Sequence, residues 1–245
     1  MLPVIVAVLA GHLYLVAVSA TGPILVAWCD FFRSPGDETA NRGARWLSMI
    51  SWLFLIVGSL IGVLSGVLVW SDEFRQVLGR LHSKIHWGGA ELCFSVALSG
   101  IVAFWWRRNP GATGMRRRLR GFLGLLSGTN LLYHFPIIFM LVHEIPAIVV
   151  AELESSGAEL SRQQFYEYAF SSSMLARWLH IVISMLMISF AYVAVIALRF
   201  AREATNVARE TAVRTVSWSA RNVLILIFAQ IGFGLLVLMT MENSQ

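Results

Sequence analysis

Charged residues are scarce in this chain. Only 13% of its 245 residues are Asp, Glu, Lys or Arg, whereas 57% are hydrophobic, and the mean hydropathy is +0.69. Soluble domains carry about 25% charged residues, so the composition excludes a soluble domain and predicts an integral membrane protein. The net charge of +5 is not gathered into a basic domain. We therefore expect no nucleic-acid partner.

Motifs for nucleotide, hydrolase and zinc chemistry are also missing. The chain contains no GxxxxGK[S/T] phosphate loop, no GxGxxG fingerprint and no GxSxG nucleophile elbow. Its two cysteines, Cys29 and Cys93, form neither a CxxC pair nor the CxxCH motif of covalently attached haem. A noncovalent haem stays compatible with these absences, because it needs only one or two well-placed side chains.

Six apolar segments are each long enough to cross the hydrocarbon core, for which about 20 helical residues suffice. They cover residues 2–28, 46–70, 86–106, 121–150, 174–200 and 222–241. The first segment lacks a basic start and is too long for a signal peptide, so we expect it to be retained. The sequence thus predicts an all-α integral membrane protein with six transmembrane helices, forming a single domain over residues 1–245.

Positive residues are distributed unevenly between the connecting segments. If the N-terminus is outside, the segments 29–45, 107–120 and 199–221 face the cytoplasm and hold 14 of the 19 Lys and Arg residues. This bias is the one that the positive-inside rule describes. It predicts that both termini are outside and that the arginines meet anionic membrane lipids.

Histidine is the ionisable residue that recurs at membrane depth. His12, His134, His143 and His180 lie in or near the apolar segments, and His86 begins another. Ionisable groups inside a membrane are costly and mark functional sites by default. Axial ligation of haem iron accounts for such imidazoles. The alternative for His180 is a hydrogen-bonded histidine of the helical core, and the alternative for His86 is a solvated histidine at the outer membrane boundary.

Several motifs, taken in chain order, carry a resemblance to a known family. The run Ala-Arg-Trp-Leu-His at 176–180 resembles an A-R-F-V-H-like run in the fifth helix of the large subunit of cytochrome bd quinol oxidases. The other matches are His12 and Asp30 in the first helix, 60–66 with Trp70 in the second, 88–91 at the start of the third, and 127–131 with Pro146 in the fourth. Their order covers the whole chain, which resembles the front half of that subunit.

The resemblance implies a haem b-binding membrane subunit of a respiratory oxidoreductase complex in the inner (cytoplasmic) membrane of a prokaryote, with electron transfer across or within the membrane. In the family, the residue matched by His180 binds a low-spin haem b, and the one matched by His12 binds a haem of the oxygen-reactive pair. Glu91 resembles a carboxylate on the proton route. Arg177 lies beside His180, and its positive charge would favour reduced haem.

The chain also departs from the family. Ser99 stands where the family has a second carboxylate, and the chain stops at Gln245, before the family's quinol loop and later helices. We expect the missing ligands to come from another membrane subunit, from a second copy, or from His134, His143 or Met187. The haem complement is then one or two haems b, with a further haem shared with a partner as an alternative.

Three functions stay open at this point. The chain is an electron-transfer subunit, an oxygen-reducing bd-type oxidase subunit completed by a partner, or a haem-free membrane scaffold or transporter. The electron donor is quinol or a periplasmic cytochrome c that docks on the acidic outer segment 152–173. Within that segment, the composition of residues 161–166 predicts a short interfacial helix.

Overall fold

The computed structural model describes residues 2–153, 159–203 and 206–242, except the side chains of residues 2, 143–153, 203, 206–208, 241 and 242. Eight helices make up these ranges: α1 (Leu2–Phe32), α2 (Glu38–Leu68), α3 (Asp72–Arg80), α4 (His82–Arg108), α5 (Gly114–Leu153), α6 (Arg162–Ala169), α7 (Ser172–Glu203) and α8 (Asn206–Glu242). All except α3 and α6 are long and apolar enough to cross a membrane. The predicted helical membrane bundle with six spans is therefore confirmed, and the described ranges contain no strand.

The spanning helices extend well beyond the apolar segments. α5 begins at Gly114 rather than at 121, and α8 begins at Asn206 rather than at 222. The segment 199–221, expected to connect two spans as a loop, is instead helical over 199–203 and 206–221. Arginine is the commonest residue of these extensions, with 7 of the 23 residues over 114–120 and 206–221, and it is a strong helix former that keeps the backbone helical in water. Hydropathy detects only the part of a helix that lipid surrounds.

Two short helices lie at the end of the bundle where α4 and α7 begin. The helix predicted at 161–166 is present as α6, and Ser161 caps it through a reciprocal capping box with Gln164. The sequence analysis did not predict α3, which begins after Ser71, whose hydroxyl accepts a hydrogen bond from the Phe74 amide. A buried apolar cluster joins both helices to α5 and α7; it includes Val77, Leu81, Ile137, Leu141, Leu160, Ala169 and Met174.

The central helix of the bundle is α1, which contacts α2, α5 and α7. α4 packs against α2 and α5, while α8 packs mainly against α7. At Gly128 the backbone of α5 lies directly on α1, since an added Cβ would come within 2.8 Å of the Ala20 carbonyl oxygen. On the α7 side, the Thr21 hydroxyl donates to Ser189 Oγ at 2.5 Å.

Three buried charged residues and a tryptophan lie together at the end of the bundle where α1 finishes. Arg120 on α5 has an exposed fraction of 0% and donates two hydrogen bonds to the Asp30 carboxylate, at 2.7 and 3.1 Å. Its guanidinium also lies 3.5 Å from the centre of the Trp106 ring on α4. Arg117 approaches Asp30 at 3.6 Å. We call these four residues the Asp30 cluster.

The Asp30 cluster also satisfies backbone carbonyls at helix ends. Arg117 donates to the carbonyl oxygens of Cys29 and Arg33, near the end of α1. Arg120 donates to the carbonyl oxygen of Asn109, just after α4, at 2.6 Å. Carbonyls at helix ends have few partners within the helix, and the two arginines add to the bonds that the Arg33 and Ala112 amides already donate to Cys29 and Asn109, at 3.2 and 3.4 Å. The cluster therefore fixes the ends of α1 and α4 against the first turns of α5.

We predict that Asp30→Asn strongly destabilises the protein. The change leaves Arg120 buried without a charged partner, for which the cost is about 3–5 kcal/mol. The measurement is equilibrium unfolding in mixed detergent micelles. Arg214→Gln is the matched control, because it breaks an exposed pair with Glu210 at 2.6 Å, and exposed pairs contribute little. Equal stability of the two variants would show that the Asp30 cluster does not hold the bundle together.

Candidate functional site

His12 lies at the interface of α1 and α2 and is partly exposed. Its Nδ1 is 2.8 Å from the carbonyl oxygen of Gly58 on α2. A carbonyl oxygen can only accept, so Nδ1 carries the proton and Nε2 keeps a free lone pair. Histidines that bind metals through one nitrogen usually donate the other N–H in this way, which fixes the ring orientation.

Gly62 provides the space that the His12 ring occupies. A Cβ at Gly62 would lie 2.6 Å from His12 Cε1, closer than any real contact of this kind. The ring can rest against α2 only because this position has no side chain. Within the described residues, no hydrogen bond reaches Nε2 of His12. The imidazole is thus anchored by one nitrogen and available through the other.

His180 lies at a different interface, between α7 and α8. The Gln230 side-chain amide donates to His180 Nε2 at 2.8 Å and to Ser184 Oγ at 2.5 Å. The Ser184 hydroxyl in turn donates to the His180 carbonyl oxygen at 2.9 Å. Gly234 packs against the ring, because a Cβ there would lie 3.4 Å from His180 Cε1. We call His180, Ser184 and Gln230 the α7–α8 polar cluster.

The α7–α8 polar cluster contains two buried polar atoms that lack a hydrogen-bond partner in the described part of the chain. They are His180 Nδ1 and Gln230 Oε1. Leaving such atoms unsatisfied costs about 1–3 kcal/mol each. The cluster therefore has unused capacity to bind a polar group. Iron ligation through Nε2 requires the Gln230 amide to turn away, so His180 is less directly available than His12.

A chain of small polar side chains runs along the α4–α5 interface. Ser95 and Ser99 lie one turn apart on the same face of α4. Ser99 Oγ is 2.7 Å from Ser127 Oγ, and both side chains are buried. Asn130 donates to Ser95 Oγ at 2.9 Å. Ser99, which matches the second carboxylate of cytochrome bd in the sequence analysis, is thus hydrogen-bonded across the α4–α5 pair.

Glu91 and His134 lie beside this row of polar side chains, at the end that is nearer the start of α4 and away from the Asp30 cluster. Asn130 donates to the Glu91 carbonyl oxygen at 3.2 Å, and His134 Nδ1 is 3.3 Å from the Asn130 carbonyl oxygen. Both residues are partly exposed. Asn130 therefore links the backbone of Glu91 to the ring of His134, and no bond between the Glu91 carboxylate and the His134 ring is observed in the described residues.

The remaining candidates lie around His180 or outside the described side chains. Arg177 lies one turn before His180 and Met187 two turns after it, both partly exposed. The prediction for His143 falls on a side chain outside the described residues. His82 lies at the outer edge of the bundle, 3.6 Å from the Glu159 carboxylate, with 65% of its side chain exposed. That environment is typical of a solvated histidine.

The candidate residues occupy three separate interfaces. His12 lies between α1 and α2, His180 between α7 and α8, and Glu91 with His134 along α4 and α5. In the described ranges, no three His, Cys, Asp or Glu side chains converge to hold a bare metal ion. The comparisons with protein-family models, curated proteins and solved structures found no match for this chain. What supports any function here is the local geometry.

Sequence reasoning missed two amides that organise these interfaces. Asn130 enters the sequence analysis only as part of a motif, and Gln230 does not enter it, although Gln230 is the one polar residue within 223–239. A polar side chain at such depth is itself a signal, because lipid offers it no partner. Their partners are visible only in the folded bundle.

We predict that Gly62→Ala displaces the His12 ring and breaks its bond to Gly58. The reason is the 2.6 Å approach of the added Cβ to His12 Cε1. Gly11→Ala is the control, because nothing lies within 4 Å of a Cβ at that position. ¹⁵N NMR of histidine-labelled protein should show loss of the Nδ1-protonated signal of His12 in the first variant only. An unchanged signal in Gly62→Ala would refute the described packing.

Proposed function

We propose that this chain is a haem b-binding, multi-pass membrane subunit of a prokaryotic respiratory oxidoreductase that moves electrons within the membrane. The observation that carries the proposal is the state of His12. Its Nδ1 is held by the Gly58 carbonyl at 2.8 Å, its ring edge rests on Gly62, and its Nε2 lone pair is free for a metal. The cytochrome bd-like motifs of the sequence support the same assignment.

Haem fits the donor set better than a bare metal ion does. The described side chains offer no group of three ligands, whereas zinc sites in proteins use three or four. A porphyrin brings its own nitrogens, so one or two axial side chains are enough. His12 is the first candidate ligand and His180 the second. When bound, haem b supplies reversible one-electron transfer.

Neighbouring residues would control how readily His12 and His180 bind iron and which charge state of the iron is favoured. The Gly58 carbonyl fixes the His12 tautomer and makes its Nε2 more basic. In the α7–α8 polar cluster, the Gln230 amide competes for His180 Nε2. Arg177, one turn away from His180, adds positive charge that favours a reduced centre. Ligand availability at His180 is thus controlled by a hydrogen bond that His12 does not have.

Proton movement is the role we propose for the α4–α5 interface. A hydroxyl both donates and accepts, so a proton could pass between Ser99 and Ser127, whose oxygens are 2.7 Å apart. Ser127 reaches Ser95 through the Ser95 backbone carbonyl at 3.2 Å. Asn130 holds the backbone of Glu91 at the end of this series, at 3.2 Å. Glu91 is the only carboxylate of α4. It would therefore be the group that takes up or releases the proton when the charge of the site changes.

Partners are part of the proposal. None of the residues in the apolar stretch of α8 that would cross the membrane is buried. α2 likewise exposes large apolar side chains, among them Leu60, Val63 and Val67. These two helices offer surface for another membrane subunit or a second copy. Quinol and a periplasmic cytochrome c are the donors we consider. An oxygen-reducing subunit completed by its partner is the variant of this proposal in which the same ligands serve an oxidase.

We predict that the purified protein carries noncovalent protohaem. A pyridine haemochrome assay after acid–acetone extraction should find haem b in the extract. His12→Ala and His180→Ala should each remove or shift part of the reduced-minus-oxidised spectrum. His82→Ala is the control and should leave the spectrum unchanged, since that side chain is exposed and pairs with Glu159.

The outcomes of this assay separate the candidate functions. A folded wild-type protein without colour would overturn the haem proposal and favour a membrane scaffold or transporter. Identical spectral losses in the His82 and His12 variants would show that the assignment of ligands is wrong. Haem content, rather than enzymatic activity, is therefore the first quantity to measure.

We also predict stable association with another membrane subunit or a second copy. The exposed faces of α2 and α8 provide the surface, and charged substitutions there should weaken assembly because they place a charge in an apolar contact. Native mass spectrometry in mild detergent measures the assembly directly. Phe228→Lys on α8 should reduce it, whereas Met115→Lys, exposed at the start of α5, should not. A monomer with full quinol oxidase activity would contradict this proposal.

A further inference from the structure

A groove opens on the surface of the bundle between α2 and α7, at the end where α1 finishes. It has a volume of about 420 Å³ and is lined by Trp46, Tyr192, Val195, Ile196, Arg199 and Phe200. Ile196 and Phe200 also line a second cavity of about 70 Å³ that lies between α1, α2, α7 and α8. The groove and this inner cavity are therefore adjacent.

Aromatic rings form the wall of the groove. Trp46 stacks on Tyr192 with ring centres 6.3 Å apart and planes inclined by 30°. Tyr192 in turn contacts Phe54 on α2 at 5.9 Å. Rings placed in this way hold one another and keep the wall in position. The result is a preformed apolar surface suited to a hydrocarbon chain.

Two arginines stand at the rim of this wall. Arg199 lines the groove on α7, and the Arg42 guanidinium lies 4.9 Å from the centre of the Phe200 ring. Neither arginine makes an ion pair with a described residue. The adjoining cavity is lined by one carboxylate of the described residues, that of Asp37, which already accepts a hydrogen bond from the Ala40 amide at 2.9 Å.

Both arginines lie about one turn from a helix end. Arg42 follows the start of α2 at Glu38 by four residues, and Arg199 precedes the end of α7 at Glu203 by four residues. Positions so near the ends of spanning helices lie at the level of lipid headgroups, where the aromatic belt of membrane proteins also lies. The groove thus presents positive charge at headgroup depth and aromatic surface deeper in the membrane.

We propose that this groove is a specific site for an anionic phospholipid of the predicted cytoplasmic leaflet. The lipid phosphate would pair with Arg199 and Arg42, and one acyl chain would lie along Trp46 and Tyr192. Charge complementarity selects this occupant, because a zwitterionic lipid carries no net charge to offset two guanidinium groups. Basic pockets between transmembrane helices bind anionic headgroups for the same reason.

The test uses the position of Trp46 in the groove wall. The full-length protein is reconstituted in phosphatidylcholine nanodiscs that contain a small, equal fraction of either brominated phosphatidylglycerol or brominated phosphatidylcholine. Bromine quenches tryptophan fluorescence at contact distance, and subtraction of the Trp46→Phe variant isolates the Trp46 signal. We expect brominated phosphatidylglycerol to occupy the site at least five-fold more often, a factor of about five corresponding to the roughly 1 kcal/mol expected per arginine.

The variant pair Arg42→Gln with Arg199→Gln should remove this preference. Arg118→Gln is the matched control, because Arg118 is exposed on α5 at the same end of the bundle and is not part of the groove. Equal quenching by the two lipids in the wild-type protein would overturn the proposal. So would a preference that survives loss of both groove arginines, or one that Arg118→Gln also abolishes, since each result would indicate general attraction to an arginine-rich surface.

Discussion

The buried pair of Asp30 and Arg120 is the contact on which the rest of the bundle depends. It ties the end of the central helix α1 to α5, while the Trp106 ring of α4 covers the guanidinium at 3.5 Å. Charges this deep stay in place only when each is paired and fully hydrogen-bonded. His12 lies 18 residues before Asp30 on α1, which corresponds to about 27 Å at 1.5 Å per residue. Because α1 contacts three other spanning helices, fixing its end also fixes the rotation that turns His12 towards Gly62 on α2.

A glycine of the neighbouring helix lies against each of the two best candidate ligands, Gly62 of α2 against His12 and Gly234 of α8 against His180. At Gly62 an added Cβ would collide with the imidazole at 2.6 Å, so this interface requires glycine. At Gly234 an added Cβ would reach ordinary van der Waals contact at 3.4 Å. The two sites also differ in their hydrogen bonds. A backbone carbonyl holds His12 and leaves Nε2 free, whereas a side-chain amide engages His180 at that nitrogen.

The two ends of the bundle have different chemistry. Towards the start of α1, α4 and α7 lie His12, Glu91 and His180, whose neighbours are amides, hydroxyls and glycines. The Asp30 cluster and the two groove arginines lie towards the opposite end. The Asp30 cluster holds the helix ends together, and the groove arginines face lipid. In the proposed electron-transfer function, the helices that carry His12, Glu91 and His180 would be held in place by the contacts at the opposite end. A bound anionic lipid would add a further contact there, between α2 and α7.

The class of the protein, the number of spans and the short helix α6 could be predicted from the sequence, because hydropathy and helix-forming composition are local properties. It also drew attention to His12, His180 and Glu91, since ionisable groups stand out in apolar segments. The folded bundle alone shows that Asp30 pairs with Arg120, 90 residues away, that Gln230 donates to His180, and that the candidate residues lie at three interfaces. Such pairings depend on helix rotation and crossing, which are set by packing between helices distant in sequence and leave no periodic signal in any one of them.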